Sequence, residues 1–581
     1  MHNKDHVLQK LNPSISLYKI INQKLEVKIF YIFCFLIFTQ IVFILLLSTV
    51  PPISRDGLIH HLAIPKMYLL HGGMYEIPSM HFSYFPMNLD LLYLLPLYFK
   101  YDIGAKYIHF LFALMTAGLI YRYLKDALSR VYGMIGALLF LTIPIIVKLS
   151  VTVYVDLGLI FFSWLCIYHF IKWQDSHFDL RYLILTGIAC GLALGTKYNA
   201  LILLLIMAAF IPLVYSHRQN ASLPGNSPRA RNINSCKGLL WGAAFIAISL
   251  LIFSPWMVRN KIWKNNPIYP LYNNFFNPPA SAVRSSVPQQ ESEPQNAFWV
   301  RRHVYNESFV QTVFIPIRAF FQGQDDNPKY FDGKLNPALL LLPLISFIRI
   351  RDRQLKALRT HRNIFTVFAI IFTLFVLFQA DFRIRYMAPA IPPLVVLSVF
   401  GLKNMVQHIS QRAASFSKII GWTTIILIMS AAFFYNGNYI RQQFDYIRPF
   451  DYLSGKVDRN TYVSRYRLEQ PVIVEANKIL PQDARVLCLS IGDRTYYVDR
   501  SVHLSEDFYD KKDGVYTEID LLQKLTRYGT THIIFHRDGY INWVRTLPEE
   551  EMNTFQTFFR KYTKVLYEQN GVQLLELRHR G

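Results

Sequence analysis

Residues 29–49 read IFYIFCFLIFTQIVFILLLST, an uninterrupted apolar run without a single charge. At about 1.5 Å of rise per residue, a helix of this length crosses a hydrocarbon core roughly 30 Å thick. Lipid offers no hydrogen-bond partner to a peptide group, so the run has to satisfy its backbone internally, as a helix. A polar, basic leader, residues 1–28, precedes it, and no small-residue cleavage site follows. It therefore reads as a retained span and not as a removed signal peptide.

Working outward, similar runs recur at 103–121, 131–149, 153–171, 183–197, 199–215, 239–257, 337–349, 364–380, 386–402 and 418–435, for eleven expected spans. A chain of 581 residues that is 52% hydrophobic and 15% aromatic is too apolar for one soluble domain and too long for one core. The formal charge of +23 is spread over short loops and forms no stripe or motif, which argues against nucleic acid. With the N-terminus in the cytoplasm, the basic loops Arg122–Arg130, Arg218–Lys237, Arg349–Arg362 and Lys403–Lys418 all fall inside, as the positive-inside rule requires. The segments 50–102, 258–336 and 436–581 then face out, and function is sought there. Cys34, Cys166 and Cys190 lie in apolar runs and Cys236 in a basic loop, leaving Cys488 alone outside and no intramolecular disulfide there.

The expected organisation is a leader at 1–28, a transmembrane module at 29–435 and an extracytoplasmic domain at 436–581. Within the first outer loop, Leu89–Phe99 is too short to span and reads as an interfacial helix. Pro278–Gln295, rich in Pro, Ser, Gln and Glu, reads as mobile. After Asp451 the composition becomes that of a soluble α/β domain. Strands are expected at Arg485–Ser490 and Thr531–His536, and amphipathic helices at Glu518–Arg527 and Glu549–Tyr562. A hairpin is expected around Asn570-Gly571. No phosphate-cradling glycine motif accompanies these strands, so the domain reads as a docking or lid element.

The first outer loop places Asp56 directly after the first span, at the membrane surface. A carboxylate there can take a proton from an attacking hydroxyl, the work of a general base. Capping of the helix that follows is the plainer role. Asp156, Lys197, Arg259, Arg383 and Arg385 likewise sit at outer span ends, reached from different parts of the chain. Lys and Arg can stabilise a leaving phosphate without a metal ion. Asp156 and Lys197 also suit the dipoles of the helices that they begin and end. Arg383 and Arg385 share a face if the segment is extended, where lipid headgroups are the plainer partner. His60 and His61 point about 100° apart on a helix and have no third ligand at metal spacing. Trp256, Tyr269 and Tyr272 read as interface aromatics able to stack on a sugar.

Asp56 with the run His61–Tyr68, then Phe85-Pro86-Met87-Asn88-Leu89, resemble the first outer loop of the class C glycosyltransferases, in the bacterial branch related to protein O-mannosyltransferases and the lipid A aminoarabinose transferase. Tyr154-Val155-Asp156-Leu157-Gly158, Gly191–Tyr198, Pro255–Asn260 with Asn266–Pro270, and Arg383–Pro389 follow in the order of that family, over about residues 29–435. The resemblance implies a polytopic helical fold with a soluble outer domain. It implies transfer of a sugar, with inversion, from a polyprenyl-phosphate donor to a lipid, glycan or protein acceptor, and no obligatory metal or cofactor. Asp56 and Asp156 would be catalytic, and Lys197, Arg259, Arg383 and Arg385 would bind the donor phosphate. His60, His61, Lys66, Tyr198, Asn260, Tyr269 and Tyr386 would bind substrate. Relatives often carry paired acids, or an acid with a nearby tyrosine, in this loop. Here Arg55 precedes Asp56 and His60 follows, so the acceptor class stays open. The expected location is the bacterial inner membrane, with the site facing out. A transporter would place charges near mid-membrane, whereas here they crowd the span ends. A non-catalytic assembly subunit is the third reading, and it requires Asp56 to be dispensable.

Overall fold

The structure, a computed structural model, describes residues 13–221, 228–278, 297–348, 353–377, 382–411, 415–504, 508, 517–545 and 547–578. Most of the Pro278–Gln295 stretch lies outside them.

Each expected apolar run carries a helix. They are α1 (Pro13–Ser48), α2 (Ile103–Ala127), the bent pair α3 (Arg130–Thr142) and α4 (Pro144–Ser150), α5 (Asp156–Asp175), α6 (Leu180–Leu194), α7 (Ala200–Ala221), α8 (Pro228–Lys264), α9 (Ala338–Ile345), α10 (Arg359–Leu377), α11 (Ile391–Ser410) and α12 (Ser415–Ile447). The expected count of eleven spans is not reached by length and composition. Among the described residues seven helices are long and apolar enough to cross, or eight if α3 and α4 count as one. α9, with eight residues, extends only about 12 Å. The run 131–149 breaks at Pro144, which has no N–H to continue α3, and the chain turns by 66°. That turn carries Lys148 away from the helix axis of α3.

Lipid-facing surfaces are recognisable by their large exposed apolar side chains, such as Leu239, Leu240 and Leu251 on α8. Between helices the spacing is close. A Cβ on Gly191 of α6 would stand 2.6 Å from the carbonyl oxygen of Ser249 on α8, so only glycine lets the two backbones approach this far. Leu89–Phe99 forms two short helices, Asn88–Leu92 and Leu94–Tyr98, with Leu95, Tyr98 and Phe99 exposed, as an interfacial element requires.

The C-terminal domain is a five-stranded sheet of order β2-β1-β3-β5-β4. The strands are β1 (Arg485–Leu489), β2 (Ser501–Leu504), β3 (His532–His536), β4 (Thr563–Gln569) and β5 (Val572–Leu577). β1 is parallel to β2 and β3, while β5 is antiparallel to β3 and β4. Asn570 and Gly571 turn the last hairpin with φ of 55° and 74°, the left-handed pair that a two-residue turn needs. Helices α13 (Glu518–Arg527) and α14 (Glu549–Tyr562) pack on a core that includes Leu521, Leu525, Phe555 and Phe558.

This domain docks on the first loop. The Tyr497 hydroxyl donates to the Pro52 carbonyl at 2.8 Å, the Tyr496 N–H to Leu58 at 3.2 Å, and Arg467 to Ile53. Lys66 donates to the carbonyls of Tyr496 and Val498 at 2.9 and 3.0 Å and pairs with Asp499 at 2.8 Å. Arg459 pairs with Asp102 at the start of α2.

Candidate active site

After α1 the chain has no regular structure over Pro51–Ser54 and then coils into a helical turn whose residues Gly57–His61 are π-helical. Gly57 presses on the segment before α5, since a Cβ there would lie 3.2 Å from the Val153 carbonyl oxygen. Asp56 stands at the head of this turn. Its side chain makes no capping hydrogen bond, so the plainer reading of Asp56 as a cap is not what the structure displays. The carboxylate instead receives Arg385 Nη1 at 2.7 Å. Burial works to raise its pKa, but the guanidinium of Arg385, the strongest of the neighbouring charges, outweighs that and holds the carboxyl well below the usual range. Asp56 is ionised at neutral pH.

Arg385 lies over the rings of Tyr154 and Tyr386, at 4.9 and 5.3 Å. Lys197 lies 5.3 Å over the Tyr386 ring and pairs with the buried Asp156 at 2.8 Å. Two acid–base pairs, Asp56–Arg385 and Asp156–Lys197, are thus joined through Tyr386. His109 orients the start of α5, accepting the Leu157 N–H at 3.0 Å on Nε2 with its Nδ1 3.0 Å from the Thr152 carbonyl. The condition for Arg383 and Arg385 to share a face, an extended segment, is met at Arg383 but not beyond it. Ile384–Ala390 is a 3₁₀ helix, and the two side chains diverge, Arg383 going to Asp332 at 3.3 Å.

A cavity of about 530 Å³ opens on the other side of Asp56. One wall is acidic, with Asp325, Asp326 and Asp332 gathered around Lys148 at 3.3, 3.4 and 3.2 Å. Burial raises the Asp332 pKa less than Lys148, Arg383 and Arg385 lower it, so it too is held ionised. The loop bearing these acids is pinned by a buried network in which Glu307 takes Arg318 at 2.9 Å and Arg301 at 3.4 Å. The Tyr439 hydroxyl of α12 fixes Asp325 at 2.7 Å. The remaining wall comes from Val50–Arg55, Lys106, the end of α12 and Arg467 of the C-terminal segment.

A second cluster adjoins the first loop away from the cavity. Arg259 donates to the carbonyls of Tyr84 and Phe85 at 2.7 and 3.1 Å, between the rings of Trp256 and Trp263. Asn260 donates to Tyr84 O at 2.8 Å and the Tyr198 hydroxyl to Tyr269 O at 2.9 Å. Arg259 Nη1 is buried without a partner among the described residues. His60 stacks on Phe82 at 4.3 Å, and burial lowers its pKa well below the ordinary value, so it is neutral. His61 Nδ1 is 2.6 Å from Asp90.

The structure therefore brings Asp56, Asp156, Lys197, Arg385 and Tyr386 together, with His60 and His61 on the same turn as Asp56. Tyr198, Arg259, Asn260 and Tyr269 form their own cluster. Lys66 is a correction: expected at a substrate, its ammonium is occupied by the C-terminal domain. Lys106, Lys148, the acidic wall and Arg467 were not anticipated. Their charges resemble any solvated loop or span-end charge until the fold closes around them.

Residues 100–258 match the family model described as dolichyl-phosphate-mannose-protein mannosyltransferase. No curated protein matches in sequence. The apo structure of ArnT from Cupriavidus metallidurans superposes with a TM-score of 0.54 at 13% identity, covering 94% of this chain and 97% of that one. The same protein bound to undecaprenyl phosphate gives 0.54 at 12%, covering 93% and 97%. The Archaeoglobus fulgidus oligosaccharyltransferase gives 0.48 at 11%, covering 86% and 69%. At such identities ArnT establishes the shared fold, while the family model carries the sequence resemblance over the region that contains Asp156 and Lys197.

Proposed function

We propose that this chain, which has the fold of ArnT and a mannosyltransferase-family sequence over residues 100–258, is an integral membrane glycosyltransferase. It moves a sugar from a polyprenyl-phosphate donor to a hydroxyl or amine on the non-cytoplasmic face, inverting the anomeric carbon. The ArnT complex with undecaprenyl phosphate supports a lipid phosphate as the donor's carrier.

The observation that carries this reading is the position of Asp56. Its ionised carboxylate borders a cavity large enough for an acceptor group, does not cap its helix, and is oriented by Arg385. The acceptor nucleophile lies in the cavity and passes its proton to Asp56 as it attacks the anomeric carbon. The sugar–phosphate bond breaks on the opposite side, and its electron pair leaves with the phosphate. Lys197, Arg259 and Arg385 are the cations that receive that charge, and Arg383, tied to Asp332, borders the acceptor side. Asp156 orients Lys197. Tyr386 lies between Lys197 and Arg385, and Tyr198, Asn260 and Tyr269 shape the approach to Arg259.

Asp56→Asn tests the assignment. The amide keeps size but accepts no proton, so turnover by the purified variant falls by a factor on the order of 10² to 10⁴ while donor binding is kept. Transfer within a few-fold of wild type would exclude Asp56 as the base.

A further inference from the structure

The charged side chains around the cavity are unequally compensated. Asp56, Lys148, Arg383, Asp325, Asp326 and Asp332 each have an oppositely charged partner within 3.4 Å. Lys106 and Arg467 have none among the described residues. Lys106 is only 3% exposed, and its ammonium donates to a neutral carbonyl, that of Val50, at 2.8 Å. Asp102, the residue that precedes α2, acts on it electrostatically but is already paired with Arg459 and bonded by the Tyr496 hydroxyl at 3.1 Å. Arg467 donates to the carbonyls of Ile53 and Tyr466, and its Nε is buried without a partner. Ser54, the residue after Ile53, is on the same lining, and its Oγ is also buried and unpartnered among the described residues.

A buried cation held only by neutral carbonyls has lost its hydration without recovering it. The buried Lys106, the half-buried Arg467, whose neighbour Glu469 is already paired with Arg494, and Ser54 line one cavity along the six residues Val50–Arg55, of which Arg55 is exposed. We infer that the Val50–Arg55 wall is a binding site for a phosphate-class oxyanion, held by Lys106, Arg467 and Ser54. The inference rests on the cavity being a substrate cavity. It adds that one substrate brings an anionic group to this wall, distinct from the Lys197–Arg259–Arg385 side. The C-terminal segment thereby contributes a ligand contact through Arg467.

The test uses the full-length protein purified in neutral detergent. Its thermal midpoint is followed against inorganic phosphate, with chloride at matched ionic strength as the reference, and separately against undecaprenyl phosphate. Phosphate raises the midpoint beyond chloride. Its affinity falls roughly tenfold or more in Lys106→Met and in Arg467→Gln, as expected for lost charge-assisted hydrogen bonds, and is kept in Lys564→Met on the exposed strand β4. If undecaprenyl phosphate loses affinity in the same variants, the carrier's headgroup itself binds at this wall, and the inference of a second, distinct anion site is overturned. If it binds them as wild type while inorganic phosphate does not, the anion belongs to the acceptor. Phosphate acting no differently from chloride, or binding both variants as tightly as wild type, overturns the inference. Should Lys106→Met fail to accumulate, Arg467→Gln decides alone. Asp56→Asn, which takes a negative charge from the same cavity, is expected to bind phosphate at least as tightly as wild type, so a failed base assignment and a failed anion site give separate results.

Discussion

At the scale of the residue, Asp56 is governed by two opposing effects, burial raising its pKa and neighbouring positive charge lowering it. With Arg385 present the charge wins, and the active carboxylate persists as the pH falls through the ordinary aspartate range. Removing Arg385 leaves burial as the leading effect. Arg385→Gln should therefore shift the acid limb of the pH–rate profile to higher pH, to or above the usual value of about 3.9, as well as lower turnover. An unmoved limb would show that the titrating group is not Asp56. Asp56, Asp156 and the cationic residues around them were legible from residue type and position at span ends. Which cation serves which acid was not, because Asp56 and Arg385 are far apart in sequence and meet only when α1 and α11 assemble.

At the scale of the element, the strands, helices and hairpin of the C-terminal domain follow their local signals closely. Short continuous apolar runs give the buried strands β1 and β3, and Asn570-Gly571 supplies its two left-handed residues. Thr517 closes a capping box at the start of α13. The run 131–149 reads as one span in sequence, whereas the structure breaks it at Pro144 and so brings Lys148 to the cavity wall. The docking contacts have a measurable role. Loss of the Tyr497–Pro52 hydrogen bond in Tyr497→Phe should cost about 0.5–1.5 kcal/mol. Hydrogen exchange of residues 52–58 should then quicken in that variant, and more so with Lys66→Met added. Unchanged exchange in the double variant would mean that the domain does not hold the loop.

At the scale of the whole molecule, the dispersed basic loops expect the C-terminus outside the cytoplasm. A reporter that works only outside, fused after Gly581, should be active. Silence there, with activity of a cytoplasmic reporter at the same place, would invert the proposed sidedness. The sequence by itself determined that the chain is a helical membrane protein with an α/β domain, because apolar run length and residue periodicity are local properties set by the bilayer and the backbone. It also determined which span ends carry charge. Only the tertiary structure decided that α9 is eight residues long, that Lys66 serves domain docking, and that Asp56 faces a cavity instead of capping its helix. The same holds for Lys106 and Arg467, whose missing partners are visible only when the whole lining is assembled. Ion pairing and cavity shape depend on distances between segments remote in sequence, and no local pattern encodes them.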